Sequence, residues 1–165
     1  MKLKLIEDWE RITRERKLVQ IPRTDGFTVT QILDDFNAAK ARRTSHERLY
    51  GEVCDGLKQY FNQALPTILL YKFERRQYMD SKANDKQAPV DVYGAEHLLR
   101  LFTKMPELLA KCSLQREHMT VLNAKLNELM RFLQTNKAKY FSADYIKPND
   151  EYLASWNEKS NEIKS

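Results

Sequence analysis

Glycine and proline are scarce in this sequence, which has four Gly and five Pro among its 165 residues. A β-sandwich or β-barrel needs many tight turns, and these two residues supply most of the backbone conformations that such turns require. Their scarcity therefore argues against a many-turned β fold and favours long helices. A chain of this length suits a single domain with one buried core.

Motifs for catalysis and for metal binding are also missing. The four glycines are isolated, so the sequence has no glycine-rich phosphate loop, and it has no G-x-S-x-G nucleophile turn. None of the histidines His46, His97 and His118 has a second His or Cys three or four residues away, as metal ligands on a helix would. Pairing His97 with a cysteine nucleophile would require a coincidence of tertiary structure. We therefore expect no enzymatic activity, no metal and no cofactor.

Long apolar runs and cysteines are few. The longest apolar run, Leu65 to Tyr71, is too short to cross a membrane, and the N-terminal residues lack the apolar core of a signal peptide. Cys54 and Cys112 lie far apart, each in a helix-like stretch. We expect buried free thiols rather than a disulfide, which suits a reducing compartment such as the cytosol or the nucleus.

Apolar residues recur at helical spacing through most of the chain, which predicts an all-α fold. Thr28 and Gln31 have the spacing of a capping box, Pro66 should kink or break a helix, and Pro106 should open a short one. The stretch from Asn84 to Val92 is predicted as a loop. The predicted helices carry apolar stripes, each on one face: Leu5, Ile6, Trp9 and Ile12; Ile32, Leu33, Phe36 and Ala39, which should be buried; Leu49, Val53, Leu57, Phe61 and Leu65; Leu98, Leu99, Leu101 and Phe102; and Met119, Leu122, Leu126, Leu129 and Leu133.

The excess of basic residues is small, with a formal net charge of +5 and a pI near 9.1. Two basic clusters lie at the ends of the first two predicted helices. They could contact nucleic-acid phosphates, or they could simply stabilise the carbonyl ends of those helices. The clusters consist of Arg11, Arg14, Arg16 and Lys17, and of Lys40, Arg42 and Arg43.

The segment from Leu69 to Tyr78 mixes three aromatic rings and two leucines with five charged or amide side chains. A buried core does not need so many charges, and a solvated face does not need so many rings. A second dense run extends from Tyr93 to Phe102. Trp9 lies on a short charged helix, where a Trp is more often part of a core but where it can also anchor a protein interface. Protein binding is thus the function that the residues favour.

These runs resemble the MRG domain, the C-terminal module of the mortality-factor-related chromatin proteins. The order and spacing of five segments agree, and the resemblance covers about residues 5 to 152. The segments are Ile6-Glu7-Asp8-Trp9-Glu10; Tyr60-Phe61-Asn62; Leu69-Leu70-Tyr71-Lys72-Phe73-Glu74-Arg75 with Gln77-Tyr78; Tyr93-Gly94-Ala95 with His97-Leu98-Leu99-Arg100-Leu101-Phe102; and Phe141-Ser142-Ala143.

The resemblance implies packed helix hairpins, with minor β or irregular segments near the end, and no enzyme activity. It implies a nuclear adaptor of histone acetyltransferase and histone deacetylase complexes. Partner subunits would dock through a Phe-x-Leu-Pro type motif and an adjoining amphipathic helix. Full-length relatives usually carry an N-terminal chromodomain, which this sequence lacks. Contact with nucleosomal DNA is the alternative function, and self-association stays open.

The resemblance also implies which residues bind partners. By position, the first helix supplies an apolar docking surface, Tyr71 and His97 lie near the peptide pocket, and two cations on the following helix could meet a partner's carboxylates. Leu70 and Phe73 should hold the core while Tyr71 faces the partner. The full set of expected binding residues is Leu5, Ile6, Trp9, Tyr71, His97, Arg100 and Lys104.

Two positions depart from the family pattern. Arg76 follows the Phe-Glu-Arg run where many relatives have Pro, and Glu96 precedes His97 where Pro is frequent. Both changes add charge, so we expect an altered rim around an intact pocket. The MRG domain is expected to span residues 1–152, and residues 153–165 are expected to form a polar tail that is partly helical or frayed.

Overall fold

The computed structural model describes residues 1–41, 47–84, 86–111, 113, 115–141 and 143–162. Over these residues the chain is predominantly helical, and the only paired strands are two short ones, which confirms the all-α prediction. The elements are α1 (Lys2–Thr13), β1 (Leu18–Val19), α2 (Val29–Ala41), α3 (Glu47–Ala64), a π-helical turn (Leu65–Leu69), a 3-10 turn (Lys72–Glu74), α4 (Arg75–Asn84), α5 (Pro89–Val92), α6 (Ala95–Leu109), α7 (Arg116–Thr135), α8 (Lys137–Tyr140), β2 (Tyr145–Ile146) and α9 (Asp150–Glu162).

The main core lies between α2, α3, α6 and α7, with α2 against α3 as the most extensive helix pair. The predicted stripes meet here because residues three and four apart share one face of a helix. Phe36 is fully buried, and its ring contacts those of Tyr50 and Phe132 edge-on at centroid distances of 5.8 and 5.5 Å. Most of the predicted stripe residues are buried, among them Ile32, Leu33, Leu57, Phe61, Leu65, Leu98, Leu101, Leu126, Leu129 and Leu133.

Cys54 belongs to this core as a free, buried thiol, as predicted. Burial raises its pKa to about 11, so the reactive thiolate is disfavoured. The other cysteine, Cys112, lies outside the described residues, as do Arg42 and Arg43 of the second basic cluster.

A smaller cluster joins the two ends of the chain. β1 pairs antiparallel with β2, with Leu18 opposite Ile146. α9 packs its Tyr152 ring edge-on against Phe73, at 5.4 Å between centroids. Trp156 contacts the same Phe73 ring at 5.2 Å. α9 is a 13-residue helix that extends from the expected MRG domain into the tail expected to be partly helical.

Proline acts as predicted at one position and not at the other. At Pro66, α3 gives way to the π-helical turn, so the predicted break is confirmed. Pro106, however, lies inside α6, and the prediction that it opens a new helix is wrong. A proline removes only one backbone donor from a helix. Because Leu101 and Met105 are buried in the core, α6 stays packed and continues through Pro106.

Two further local predictions need correction. Within the predicted loop 84–92, Pro89–Val92 forms a helical turn, in which Pro occupies a first-turn position that needs no backbone donor. The capping box at α2 is only half formed. The amide of Gln31 donates to Thr28 Oγ1 at 3.3 Å, but the Gln31 side chain donates to Asp35 Oδ1 instead of returning to the backbone of Thr28.

Candidate partner-binding groove

An open, mostly apolar groove of about 310 Å³ runs between α1, the π-helical turn and the C-terminal half of α6. We call it the α1–α6 groove. Its position follows from Pro66, because the break after α3 brings Ile68 and Tyr71 beside α1. The groove is lined by Leu5, Ile6, Trp9, Ile68, Leu69, Tyr71, Arg100, Thr103 and Lys104.

Large apolar side chains stand exposed along this groove. Ile6 is 44% exposed, Trp9 40% and Ile68 43%. The guanidinium of Arg14 lies 5.0 Å from the centre of the Trp9 ring, which favours one orientation of the indole through a cation–π contact. An apolar patch of this kind, bordered by charged groups, is typical of an interaction site.

Six of the seven residues expected to bind partners line this one groove; His97 does not. Tyr71 is half-buried at the groove, whereas Leu70 and Phe73 are buried, as predicted. The groove also contains Ile68, Leu69 and Thr103, which were not among the residues expected to bind partners. Ile68 directly precedes the run from Leu69 to Tyr78, and Leu69 is its first residue. Their position beside these aromatic residues could therefore have indicated that they line the groove.

His97 was expected to be partly buried and structural, close to the peptide pocket, but it is fully buried beneath the groove and does not line it. Its Nε2 lies 2.9 Å from Glu74 Oε1, and its ring meets that of Tyr93 edge-on at 4.6 Å. The first turn of α6 faces the core with every residue, which hides His97 from solvent. We therefore assign His97 to the support of the groove rather than to its lining.

Arg100 forms the floor of the groove, but its guanidinium points inward. Nε donates to Asp8 Oδ2 at 2.8 Å, and Nη1 donates to Glu74 Oε2 at 2.6 Å. Nη1 also donates to the carbonyl of Leu69 at 3.0 Å, and Nη2 donates to Glu74 Oε1 at 3.1 Å. The side chain is buried and engaged, so the expectation that Arg100 meets a partner's carboxylate is not supported.

Arg100 also stacks under Tyr71, with its guanidinium carbon 4.1 Å from the centre of the ring. The backbone amide of Tyr71 donates to Glu74 Oε2 at 2.8 Å, which closes the 3-10 turn and fixes the start of this segment. One cation and one carboxylate thus hold the ring in place. Burial raises the pKa of Tyr71, so its hydroxyl stays neutral at physiological pH.

Glu74 is the central carboxylate of this buried network. Burial alone would raise its pKa, but the charge of Arg100 and the hydrogen bonds from Arg100 and His97 lower it to about 2. The same pairing raises the pKa of Arg100 despite its burial. Both groups are therefore ionised at neutral pH, and each satisfies the other in a buried site.

Lys104 is the cation at the groove that remains available. It is exposed, and within the described part of the chain it is recorded in no ion pair. Its side chain can therefore meet a carboxylate of a bound partner, the role expected from its charge.

The basic cluster at the end of α1 is occupied by local contacts. Arg11 pairs with Glu7 at 2.7 Å, Arg14 with Glu10 at 3.4 Å and Lys17 with Glu15 at 2.7 Å. Arg16 stacks over the rings of Phe73 and Trp156. Lys40 in turn pairs with Glu128 on α7. These local contacts engage the cations that a phosphate-binding surface would use.

Among the described residues, no cluster of His, Cys, Asp or Glu is arranged to hold a metal ion, and no helix combines the length and apolarity needed to cross a bilayer. A second apolar groove of about 460 Å³, between α6 and α7, contains Met105, Met119 and Met130 but none of the expected binding residues.

Comparison with known proteins identifies a matching family and related sequences. The MRG family model matches residues 1–147. This chain belongs to the MRG family. It is 40% identical over 164 residues to the chromatin modification-related protein eaf3 of Aspergillus fumigatus, covering 93% of this chain and 49% of that protein.

Two further relatives have similar sequence identities to this chain. The NuA4 complex subunit EAF3 homolog of Dictyostelium discoideum is 39% identical, with 93% of this chain and 39% of that protein covered. Mortality factor 4-like protein 1 of Pongo abelii is 40% identical, with 90% of this chain and 47% of that protein covered. The chain thus spans about half the length, or less, of these MRG relatives.

The two departures from the MRG pattern both serve structural contacts. Arg76 donates to Glu151 Oε1 at 2.8 Å, to the Glu151 carbonyl at 3.2 Å and to Ser155 Oγ, and so ties α4 to α9. Glu96 accepts from Arg23 Nη1 at 2.8 Å, and both side chains are buried. Neither charge lines the α1–α6 groove, so the expected change of its rim does not occur there.

Proposed function

We propose that this chain is a non-enzymatic adaptor module that docks partner subunits of chromatin-modifying complexes in the nucleus. The partner would place a Phe-x-Leu-Pro type segment in the α1–α6 groove. The observation that best supports this proposal is the convergence of Leu5, Ile6, Trp9 and Tyr71 from distant parts of the chain on one exposed apolar surface. The names of the relatives support the chromatin context, since one is called a NuA4 complex subunit homolog.

The dimensions of the groove suit a short segment. A volume of about 310 Å³ accommodates a ring and a branched aliphatic side chain. Burying a Phe or a Leu side chain contributes about 1.5–3 kcal/mol each. Ordering of the partner's chain offsets much of this gain. A short motif alone should therefore bind weakly.

An adjoining helix of the partner would strengthen the complex. The exposed side of α1 carries Leu3, Ile6 and Trp9, with Leu3 80% exposed. A partner helix laid against this surface would be tethered to the motif in the groove, and tethering raises the effective concentration of the second contact. Such a bipartite arrangement lets one small domain serve several partners with different second contacts.

The direct experiment is a titration of a Phe-x-Leu-Pro peptide monitored by calorimetry. Wild type should bind, and Trp9→Ala and Tyr71→Ala should weaken binding by about tenfold or more, as loss of an aromatic anchor does. Met79→Ala on α4 is a matched control, because Met79 is 68% exposed and does not line the groove. Equal affinities for wild type and Trp9→Ala would remove Trp9 from the site.

The chromatin context needs its own experiment. Wild type and Trp9→Ala can be used as baits in nuclear extract, with mass spectrometry of the captured proteins. Subunits of histone acetyltransferase or histone deacetylase complexes should be captured by wild type and depleted with Trp9→Ala. Their absence from the wild-type sample would contradict the proposed context while leaving peptide binding to be judged by calorimetry.

A further inference from the structure

Helix α1 carries the exposed residues proposed to dock the partner, yet few of its own side chains are buried. Within this helix, all of whose residues the structure describes, only Asp8 and Ile12 are buried. Ile12 belongs to the smaller cluster near the C-terminal end of α1. Around Trp9 and Ile6 the buried anchor of the helix is therefore a carboxylate and not an apolar side chain.

Asp8 is bound by two different parts of the chain. Its Oδ2 accepts from Arg100 Nε at 2.8 Å, and its Oδ1 accepts from the Tyr145 hydroxyl at 2.8 Å. Arg100 belongs to α6 and Tyr145 to β2, so the two bonds fix Asp8 against two elements. Hydrogen bonds to a charged group are short and directional. The two bonds to Asp8 therefore constrain both the distance of α1 from α6 and its rotation about its own axis.

The same guanidinium reaches the opposite wall of the groove. Arg100 binds Glu74 and lies 4.1 Å below the ring of Tyr71. Asp8, Arg100 and Glu74 thus form a continuous chain from the wall that carries Trp9 to the wall that carries Tyr71. A change at Asp8 releases one wall from the other without removing any atom that lines the α1–α6 groove, because Asp8 is not part of its lining.

We propose that Asp8 is a positioning residue that sets where α1 presents Trp9 in the α1–α6 groove. The affinity of the groove for its peptide then depends on a carboxylate that the peptide does not touch. This inference rests on the proposed function for its peptide, but the placement of Trp9 can be measured without any peptide.

The neighbouring residue provides a matched control. Glu7 is also a carboxylate of α1, but its ion pairs with Lys4 and Arg11 lie at the surface, where the Glu7 side chain is 40% exposed. Asp8→Asn and Glu7→Gln remove the same charge from the same helix. Surface pairs of this kind contribute little to stability, so only Asp8→Asn should alter the position of α1.

The first measurement uses the fluorescence of Trp9 in the full chain with Trp156→Phe, which leaves Trp9 as its sole tryptophan. Asp8→Asn should shift the Trp9 emission to longer wavelength and increase its quenching by acrylamide, whereas Glu7→Gln should change neither. Unchanged Trp9 emission and quenching in folded Asp8→Asn protein would overturn the proposal, even if no peptide binds.

The second measurement is a double-mutant cycle for binding of a Phe-x-Leu-Pro peptide. Asp8→Asn should weaken binding about tenfold, which corresponds to ~1.4 kcal/mol. In a Trp9→Leu background the same change should cost about twofold or less, since its effect acts through Trp9. An equal loss of affinity in both backgrounds, measured on folded protein, would contradict a positioning role. Absence of peptide binding by wild type would instead contradict the proposed function.

A milder variant decides the question if Asp8→Asn does not fold. Tyr145→Phe removes one hydrogen bond to Asp8 and keeps the ion pair with Arg100. It should increase the quenching of Trp9 and weaken the peptide about two- to tenfold, the worth of one hydrogen bond. A folded Tyr145→Phe protein with wild-type quenching and affinity would overturn the proposal.

Discussion

The main core between α2, α3, α6 and α7 is apolar, whereas the floor of the α1–α6 groove is charged. Rings and aliphatic side chains such as Phe36 and Leu129 fill the core. Under the groove, Asp8, Glu74 and Arg100 form a buried network of ion pairs. Both regions are buried, but the side chains that fill them have opposite chemistry.

The two regions therefore have different roles: the apolar core mainly stabilises the fold, and the charged network mainly positions the residues of the groove. Apolar burial is strong and non-directional, so the main core contributes most of the folding free energy without fixing any one surface precisely in space. A buried ion pair costs desolvation and adds little net stability, but its hydrogen bonds are directional. The charged network is therefore suited to holding Trp9 and Tyr71 at a set separation. Variants that change one region and spare the other test whether stability and groove geometry depend on different residues.

The largest effect should come from the apolar core. Phe36→Ala removes a fully buried ring between Tyr50 and Phe132 and should lower the free energy of unfolding by about 4 kcal/mol, as measured by urea denaturation. At low temperature, where the variant is still folded, its affinity for the peptide should equal that of wild type. A large loss of affinity in the folded variant would contradict the proposal that the apolar core stabilises the fold without setting the geometry of the groove.

Disruption of the charged floor should destabilise the protein by somewhat less and weaken binding as well. Glu74→Gln leaves Arg100 with one fewer buried carboxylate and should lower the free energy of unfolding by about 3 kcal/mol. Because Tyr71 loses part of its support, peptide affinity should fall in the protein that remains folded. Wild-type affinity in folded Glu74→Gln protein would show that the network does not position the groove.

The pH dependence of stability should show the same network. The folded-state pKa of Glu74 is lowered from 4.5 to about 2, so its contribution is present above the unfolded value and is lost as pH falls through this range. Thermal denaturation should show a fall in Tm between about pH 4.5 and pH 2 that is shallower in Glu74→Gln. Glu128→Gln is a useful control, because hydrogen bonds from Lys40, Tyr50 and Lys125 outweigh burial and also lower the pKa of Glu128 to about 2, yet Glu128 lies outside the groove. It should alter the pH profile while peptide affinity at pH 7 stays unchanged.

A smaller effect is expected at the junction of α4 and α9. Arg76→Ala removes the hydrogen bonds to Glu151 and Ser155 and the stacking on Tyr152, and it should cost about 1 kcal/mol. Hydrogen exchange should accelerate in α9 and not in α2 or α3. Arg48→Ala, which removes a solvent-exposed pair with Glu52, should leave exchange unchanged. Equal exchange rates of α9 in wild type and Arg76→Ala would show that Arg76 does not hold this helix.

The smallest effect should be that of salt on peptide binding. An apolar groove with Lys104 as its available cation should lose about twofold in affinity or less between 50 and 200 mM salt. A protein that contacts 6–10 phosphates loses about 10³–10⁵ over the same range, so DNA binding would be recognised by its steep salt dependence. A flat response with a DNA duplex, or no binding at low salt, would dispose of the nucleosomal alternative.

The sequence predicted the apolar region well and the charged region poorly. Helical spacing placed Phe36, Phe61 and Leu129 in the core because that pattern is local. The family motifs further predicted that Tyr71 faces the groove while Leu70 and Phe73 are buried. Pro106 shows the limit of local rules, since packing on the core carries α6 through it.

The buried charges could not be predicted because their partners are distant in sequence. Asp8 and Arg100 are separated by 92 residues, and Arg23 and Glu96 by 73. Each looks like an ordinary surface charge until the fold brings its partner within reach. The same limit explains why Arg100 was expected to meet a partner and why His97, expected near the pocket, is buried more deeply than predicted.

The most direct test of the central claim is an NMR measurement of intermolecular contacts between the full chain and a Phe-x-Leu-Pro peptide. Isotope-filtered spectra of the complex should show nuclear Overhauser effects from the peptide Phe ring to the Trp9 indole, the Ile6 methyl groups and the Tyr71 ring. Contacts from that ring to Met105, Met119 or Met130 in the groove between α6 and α7, with none to Trp9, would contradict the account.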